Sequence, residues 1–210
     1  MRKKLGTAFV LLGAVLMLAA LGLYAYNRYE DQQAAEQVQT VLQDLQQTIE
    51  PPAAQQTTTE AVDLTQLDAE MPVVTIDGND YVGYLEIPDI DVNLPVQSEW
   101  SYPKLKKTPC RQFGSSRTDD LVIAAHNYES HFGKIVNLAS GAPVILTDMD
   151  DIRYRYEVKK IEVLAPTETE AVKDSEYDLV LYTCTYGGKT RIVVYCSRVA
   201  AERTVTVPAA

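Results

Sequence analysis

Asp178-Leu-Val-Leu-Tyr-Thr-Cys-Thr-Tyr-Gly-Gly-Lys-Thr-Arg-Ile-Val-Val-Tyr-Cys-Ser-Arg198 is the stretch on which the reading of this chain turns. Leu179 to Thr183 is an apolar, strand-like run with Cys184 at its end. Gly187 and Gly188 signal a turn, and a second β-branched run, Ile192 to Tyr195, begins directly after Arg191. The pattern predicts a hairpin that sets a thiol at the end of one strand and a guanidinium at the start of the next.

Such a pair suits acyl transfer through a thioester. The thiolate is the attacking form of cysteine, and a nearby cation favours it or steadies the oxyanion that attack creates. A proton-transfer partner is also needed, most often histidine. The chain has two, His126 and His131. His126 ends the apolar run Leu121–Ala125, where a side chain leaves the sheet edge and faces a cleft. His131, in Glu129-Ser-His-Phe-Gly133, is expected on the rim of the following turn. Arg191 shares a strand face with Val193 and Tyr195, while its rival Arg198 falls on the face of Ile192, Val194 and Cys196. Cys196 reads as a small core residue, which leaves the Arg191 face for the cleft. Cys110 follows Pro109 in a loop-like stretch that assigns it no role.

These residues resemble the sortase family. A histidine after an apolar strand, Thr-Cys at the end of a later strand and an arginine on the next strand are its pattern. Val180-Leu-Tyr-Thr-Cys184 stands where the family usually has Thr-Leu-x-Thr-Cys, and Gly83-Tyr-Leu-Glu-Ile-Pro88 is similar to its Gly-x-Ile-x-Ile-Pro opening strand. The resemblance runs from about Tyr81 to Val199. It implies a mostly β fold, an eight-stranded barrel with short helices. It also implies a cysteine transpeptidase that cleaves a C-terminal sorting motif of secreted proteins and passes the acyl group to an amine. The acceptor would belong to the cell wall or to another surface or pilin protein. Cys184 would be the nucleophile, His126 the proton donor to the leaving amine and Arg191 the oxyanion ligand. Thr183 would lie against the substrate. No metal or organic cofactor is required by this chemistry. His126-Asn127 with Phe132-Gly133 is similar to the class B form, yet Ala165–Asp178 is too short for the helix-bearing insertion of that class. A class D-like form or another compact class stays open. The rival reading is a membrane-tethered barrel that binds peptides or cell-wall components without transferring them.

The net charge of −10, with no basic stripe, argues against a nucleic-acid partner. Three cysteines without regular spacing make neither a disulfide framework nor a zinc site. Thr147-Asp-Met-Asp-Asp151 could suggest a calcium site but reads as a turn.

Arg2, Lys3 and Lys4 precede an uncharged run from Leu5 to Asn27, closed by Tyr24 and Tyr26. At about 1.5 Å per residue that run crosses a hydrocarbon core of roughly 30 Å. The basic start predicts a cytoplasmic N-terminus with the domain outside, the length points to an uncleaved anchor, and the sortase resemblance implies a Gram-positive cell. Residues 1–28 are thus read as basic start and transmembrane anchor, 29–50 as a helical stalk, 51–78 as a polar linker and 79–205 as the catalytic domain. Ala35, Val38, Leu42, Leu45 and Ile49 form an apolar seam on the stalk. The stalk can lie on the domain, stand alone, or pair weakly with a second copy. Pro51-Pro52 is read as its stop, and residues 1 to about 70 as dispensable for the chemistry. Beyond the linker, strands are expected at Val82–Ile87, Val92–Val96, Leu121–Ala125, Val144–Thr147, Arg153–Leu164, Leu179–Thr183 and Arg191–Val199. Short helices are expected at Ser101–Lys107 and His131–Leu138.

Overall fold

The computed structural model describes residues 2–49 and 57–206. Pro51-Pro52 and the first part of the expected linker lie outside the described residues. The chain opens with one unbroken helix, α1 (Arg2–Ile49), which carries both the apolar run and the stalk. It contains no proline, and its glycines, Gly6, Gly13 and Gly22, all fall in the apolar half. Ala34, Val38, Val41, Leu45 and Ile49 are buried against the domain. Leu45 packs with Val41 and Tyr81, while Val38 joins the main core. The stalk therefore lies on the domain. The buried face is rotated slightly from the expected seam, with Ala34 and Val41 inside and Ala35 and Leu42 half-buried.

Ten strands follow. They are β1 (Thr57–Ala61), β2 (Val74–Ile76), β3 (Asn79–Ile87), β4 (Val92–Gln97), β5 (Cys110–Phe113), β6 (Leu121–Ala124), β7 (Pro143–Asp148), β8 (Ile152–Leu164), β9 (Leu179–Cys184) and β10 (Arg191–Thr206). Eight form a ring in the order β10-β8-β7-β3-β4-β5-β6-β9, closed by the pairing of β9 with β10. β4–β5 and β6–β9 pair in parallel and the other ring neighbours antiparallel. Closure leaves no free edge in the ring. Two short helices, α2 (Tyr102–Leu105) and α3 (Thr169–Lys173), decorate it. The helix expected over His131–Leu138 is a single 3₁₀ turn, Ile135–Asn137.

Six of the seven expected strands lie within observed ones and the seventh, Leu121–Ala125, runs one residue past the end of β6, while β1 falls inside the stretch read as linker. Its threonines and Glu60 carry no apolar alternation, yet its backbone pairs with the end of β10, Thr58 opposite Val205 and Ala61 opposite Glu202. Residues 1–70 thus include a strand paired with β10 and the Val41 and Leu45 side chains that cover Tyr81.

Leu85, Ile87, Leu121, Ile123, Leu179, Leu181 and Val194 fill the ring. The alternate residues Val122, Val180, Val193 and Tyr195 form a second cluster on the outer face. Val172 and Tyr177, from the β8–β9 connection, cover that cluster. β6, β9 and β10 are thus apolar on both faces, which explains why their sequences run apolar without alternation. Gly83, in the Gly-Tyr-Leu-Glu-Ile-Pro motif, has φ +147°, and a Cβ there would stand 2.0 Å from the Thr147 carbonyl oxygen of β7. Only glycine lets these strands approach so closely.

Candidate active site

The β9–β10 hairpin places Cys184 directly opposite Arg191 in antiparallel register. Directly paired residues on such strands point to the same face. That face is the outer one, because it continues the row Val180, Tyr182 on β9 and Val193, Tyr195 on β10. The turn is held by Thr185 and Thr190. The Thr185 amide donates to the Thr190 carbonyl at 3.0 Å, and the two hydroxyls are 2.8 Å apart. Gly187 (φ 81°) and Gly188 (φ 71°) supply the left-handed backbone the turn requires.

The Arg191 guanidinium donates from Nη1 to the carbonyls of Gly188 (3.1 Å) and Thr190 (3.0 Å). The turn so aims the guanidinium while its remaining N–H groups stay available to an anionic oxygen. Arg191 also borders a cleft of about 180 Å³ whose walls include Phe113, Leu164, Pro166, Val172 and Tyr182. Arg198 is elsewhere, its Nη2 donating to the Asp119 carboxylate at 2.5 Å.

β6 runs parallel beside β9, Ala124 level with Tyr182, and the Ala125 amide donates to the Tyr182 carbonyl at 3.1 Å. Continuing that register by two residues sets His126 and Cys184 side by side at the ends of adjacent strands. The loop after His126 is fixed by three amides. Phe132 donates to the His126 carbonyl (3.2 Å), while His131 (3.0 Å) and Gly133 (2.8 Å) both donate to the Tyr128 carbonyl. A Cβ on Gly133 would meet the Tyr128 carbonyl oxygen at 2.6 Å, which gives Phe132-Gly133 its physical role. The His126 ring stacks on Tyr128, centroids 3.9 Å apart, and its Nδ1 is buried without a hydrogen-bond partner. Burial lowers the His126 pKa; Glu30 of α1 and the Asn127 side chain oppose that shift, while Lys106 adds to it.

Thr183 does not face the cleft. It is 1% exposed and its hydroxyl donates to the Ala125 carbonyl at 2.9 Å. Alternation turns it away from Cys184, so it ties β9 to the end of β6 instead of lying against substrate. His131 is not on a rim either. It is fully buried beside Tyr128. Burial, with the nearby His126 adding to it and Asp31 opposing, pushes its pKa down to about 4.

A stability prediction follows from His131. The folded chain keeps this imidazole neutral down to about 4, whereas an unfolded histidine protonates near 6.5. The folded pKa is lowered, so the unfolded state binds more protons between those values. Stability is therefore fully present above about pH 6.5 and declines as pH falls towards 4, by on the order of 3 kcal/mol. Urea unfolding across that window should show the decline, and His131→Phe should flatten most of it. An equal slope in the variant would assign the effect to other groups.

The cysteines separate by environment. Cys110, on β5, and Cys196, in the core, are buried, and burial raises both thiols to about 12. Cys184 is half-exposed. Among the described residues no group of three or more His, Cys, Asp or Glu side chains is placed to hold a metal ion. In the Thr147–Asp151 turn, Asp148 and Asp150 both accept from Arg117, at 3.0 and 2.6 Å. Asp148 also takes the Asp150 and Ile152 amides, so these carboxylates organise the β7–β8 turn.

A closed ring of strands with a cysteine and an arginine facing each other across its last hairpin, and a histidine at the end of the neighbouring parallel strand, defines a cysteine acyltransferase of the sortase type. The sortase domain model matches residues 85–199, more than half of the chain, and the chain belongs to the sortase family. Sortase A of Bacillus anthracis is 24% identical over 181 residues, covering 81% of this chain and 84% of its own. Sortase C1 of Streptococcus agalactiae is 28% identical with a TM-score of 0.51, over 60% of this chain and 70% of that one. A Clostridium perfringens sortase D5 transpeptidase shares the fold, with a TM-score of 0.51 at 22% identity, over 58% of this chain and 81% of that one. Its family makes the chain a cysteine transpeptidase. Sortases are membrane-associated in Gram-positive cells and act on surface proteins bearing sorting motifs and on amine acceptors. The similar proteins span classes A, C and D. The β8–β9 connection here carries only the five-residue α3.

The residues around His126 were the part hidden from sequence reasoning. Tyr128 lies two positions on and had no distinguishing pattern. Glu30 and Asp31 reach the same loop from about a hundred residues away, where no local signal exists.

Proposed function

We propose that Cys184, Arg191 and His126 carry the transfer, and the direct opposition of Cys184 and Arg191 across β9–β10 is the observation that carries this reading. The Cys184 thiolate attacks the carbonyl carbon of a threonine in the sorting motif, forming the C–S bond. Arg191 receives the resulting oxyanion through its free N–H groups. Collapse breaks the C–N bond, and His126 gives a proton to the departing amine. An incoming amine then attacks the thioester and gives a proton to the now neutral His126, the amide forms as the C–S bond breaks, and the Cys184 thiolate is released. The apolar cleft bordered by Leu164, Val172 and Tyr182 suits the chain that carries the motif.

The test is mass spectrometry of the chain incubated with a set of sorting-motif peptides and an amine. An amide product joining the two is expected. Peptide binding without any product would contradict the proposal.

The apolar segment Leu5–Asn27 suits a single span, and Arg2, Lys3 and Lys4 in front of it favour a cytoplasmic N-terminus. Protease added to intact protoplasts should remove the domain, and protection would contradict that orientation.

A further inference from the structure

α1 does more than tether the domain. Its apolar residues are exposed as far as Tyr29. Contacts with the domain begin within one turn of the end of the apolar run. Arg28 pairs with Glu129 at 3.2 Å, Glu30 with Lys106 at 3.6 Å, and Glu30 accepts from the Tyr128 hydroxyl at 3.3 Å. Asp31 accepts from the Ser130 amide at 3.1 Å and from its hydroxyl at 2.5 Å. The helix is unbroken from there to Ile49, where its buried face is packed on the domain, so no hinge separates the span from the barrel.

Length along the helix then sets depth. Glu30 lies three residues beyond Asn27, about 4.5 Å along the axis. The headgroup layer on each side of the hydrocarbon core is roughly 5–8 Å thick. The loops that meet residues 28–31 are therefore level with the headgroups. They are the loop directly after His126 and the segment around α2. That segment, Glu99–Lys107, has a fitting surface. Trp100 is 38% exposed and Tyr102 73%, with ring centroids 5.4 Å apart, and Lys104, Lys106 and Lys107 accompany them. Tyr24, Tyr26 and Tyr29 on α1 are exposed as well. Tyrosine and tryptophan with nearby lysines are the composition of a membrane interface, where rings sit among headgroups and ammonium groups reach outward.

The geometry points to a membrane-facing surface made by Glu99–Lys107 and the loop Asn127–Ser130, which rests in the headgroup layer of the bilayer that α1 enters and holds the His126 end of the active site at the membrane surface. The inference depends on Leu5–Asn27 being a span. The partner is the lipid layer itself, reached by continuity with the apolar helix.

Trp100 is the single tryptophan of the chain, and so a ready reporter. The full chain is reconstituted in vesicles of phosphatidylcholine and phosphatidylglycerol containing a lipid spin-labelled on its headgroup. Flotation of the vesicles at high salt reads insertion of α1, and Trp100 emission reads the depth of the loop. Chain that floats should lose most of its Trp100 emission to the label. A seven-residue helical insertion after Asn27 turns the helix by only about 20° while lifting the domain by about 10.5 Å. It should restore the emission. Floating chain whose Trp100 emission the label leaves unchanged would overturn the inference and leave the span standing, and this needs no variant. Quenching that survives the insertion in a folded variant would overturn it too. Chain that fails to float would remove both the span and the inference.

Discussion

Replacing Cys184 by alanine is expected to abolish peptide cleavage and amide formation together, with stability nearly unchanged. The side chain is half-exposed at the end of β9, so its loss leaves no core cavity. No other thiol can take its place. Cys110 and Cys196 are buried, and burial holds both as neutral thiols up to about 12. Thiolate is the reactive form, and Cys196 shares the inner face of β10 with Ile192 and Val194, while Cys110 is fully buried where β5 pairs with Ala124 of β6. Brief alkylation of the folded chain should accordingly label one cysteine, and the Cys184→Ala variant none. Retained turnover in the variant would show that the nucleophile is another group.

Arg191→Lys carries the second large effect. The substitution keeps the charge and the register with position 184, but loses the planar fork of donors. Two carbonyls of the turn already hold Nη1, so the geometry depends on a guanidinium that can bond to the turn and to an oxyanion at once. A fall in kcat/KM of about 10²–10³ is expected, the magnitude of losing one oxyanion donor. Arg198→Lys should be far milder, because Arg198 is occupied with Asp119. Steady-state kinetics of the two variants on one peptide provide the check. Equal losses would remove Arg191 from its proposed role.

The contrast between these arginines was legible in the residues, and the reason is local. A hairpin joined by a Gly-Gly turn fixes its own register, and alternation then assigns faces, so Arg191 could be separated from Cys196 and Arg198 without knowing the rest of the fold. The same locality gave seven of the eight strands of the ring. What escaped depends on distant partners. β1 is polar and exists because the far end of β10 offers it a ladder. β5 is four residues long and irregular in register between Arg111 and Phe113. The family resemblance implied that Thr183 lies against the substrate, but the parallel strand β6 presents the Ala125 carbonyl to it on the other face. His131 looked like a loop residue because nothing nearby in the chain shows how the loop is buried beneath Tyr128 and the turn that Asp31 helps to fix. Each of these departures comes from a contact between segments far apart in sequence.

The most direct measurement of the central claim is the intact mass of the chain after brief mixing with a sorting-motif peptide and no amine. The account predicts a mass increase equal to the acyl part of the peptide, mapped to Cys184, removed by hydroxylamine or by an amine, and absent in Cys184→Ala. An adduct mapped to another residue, or peptide cleaved with no dependence on Cys184, would contradict it.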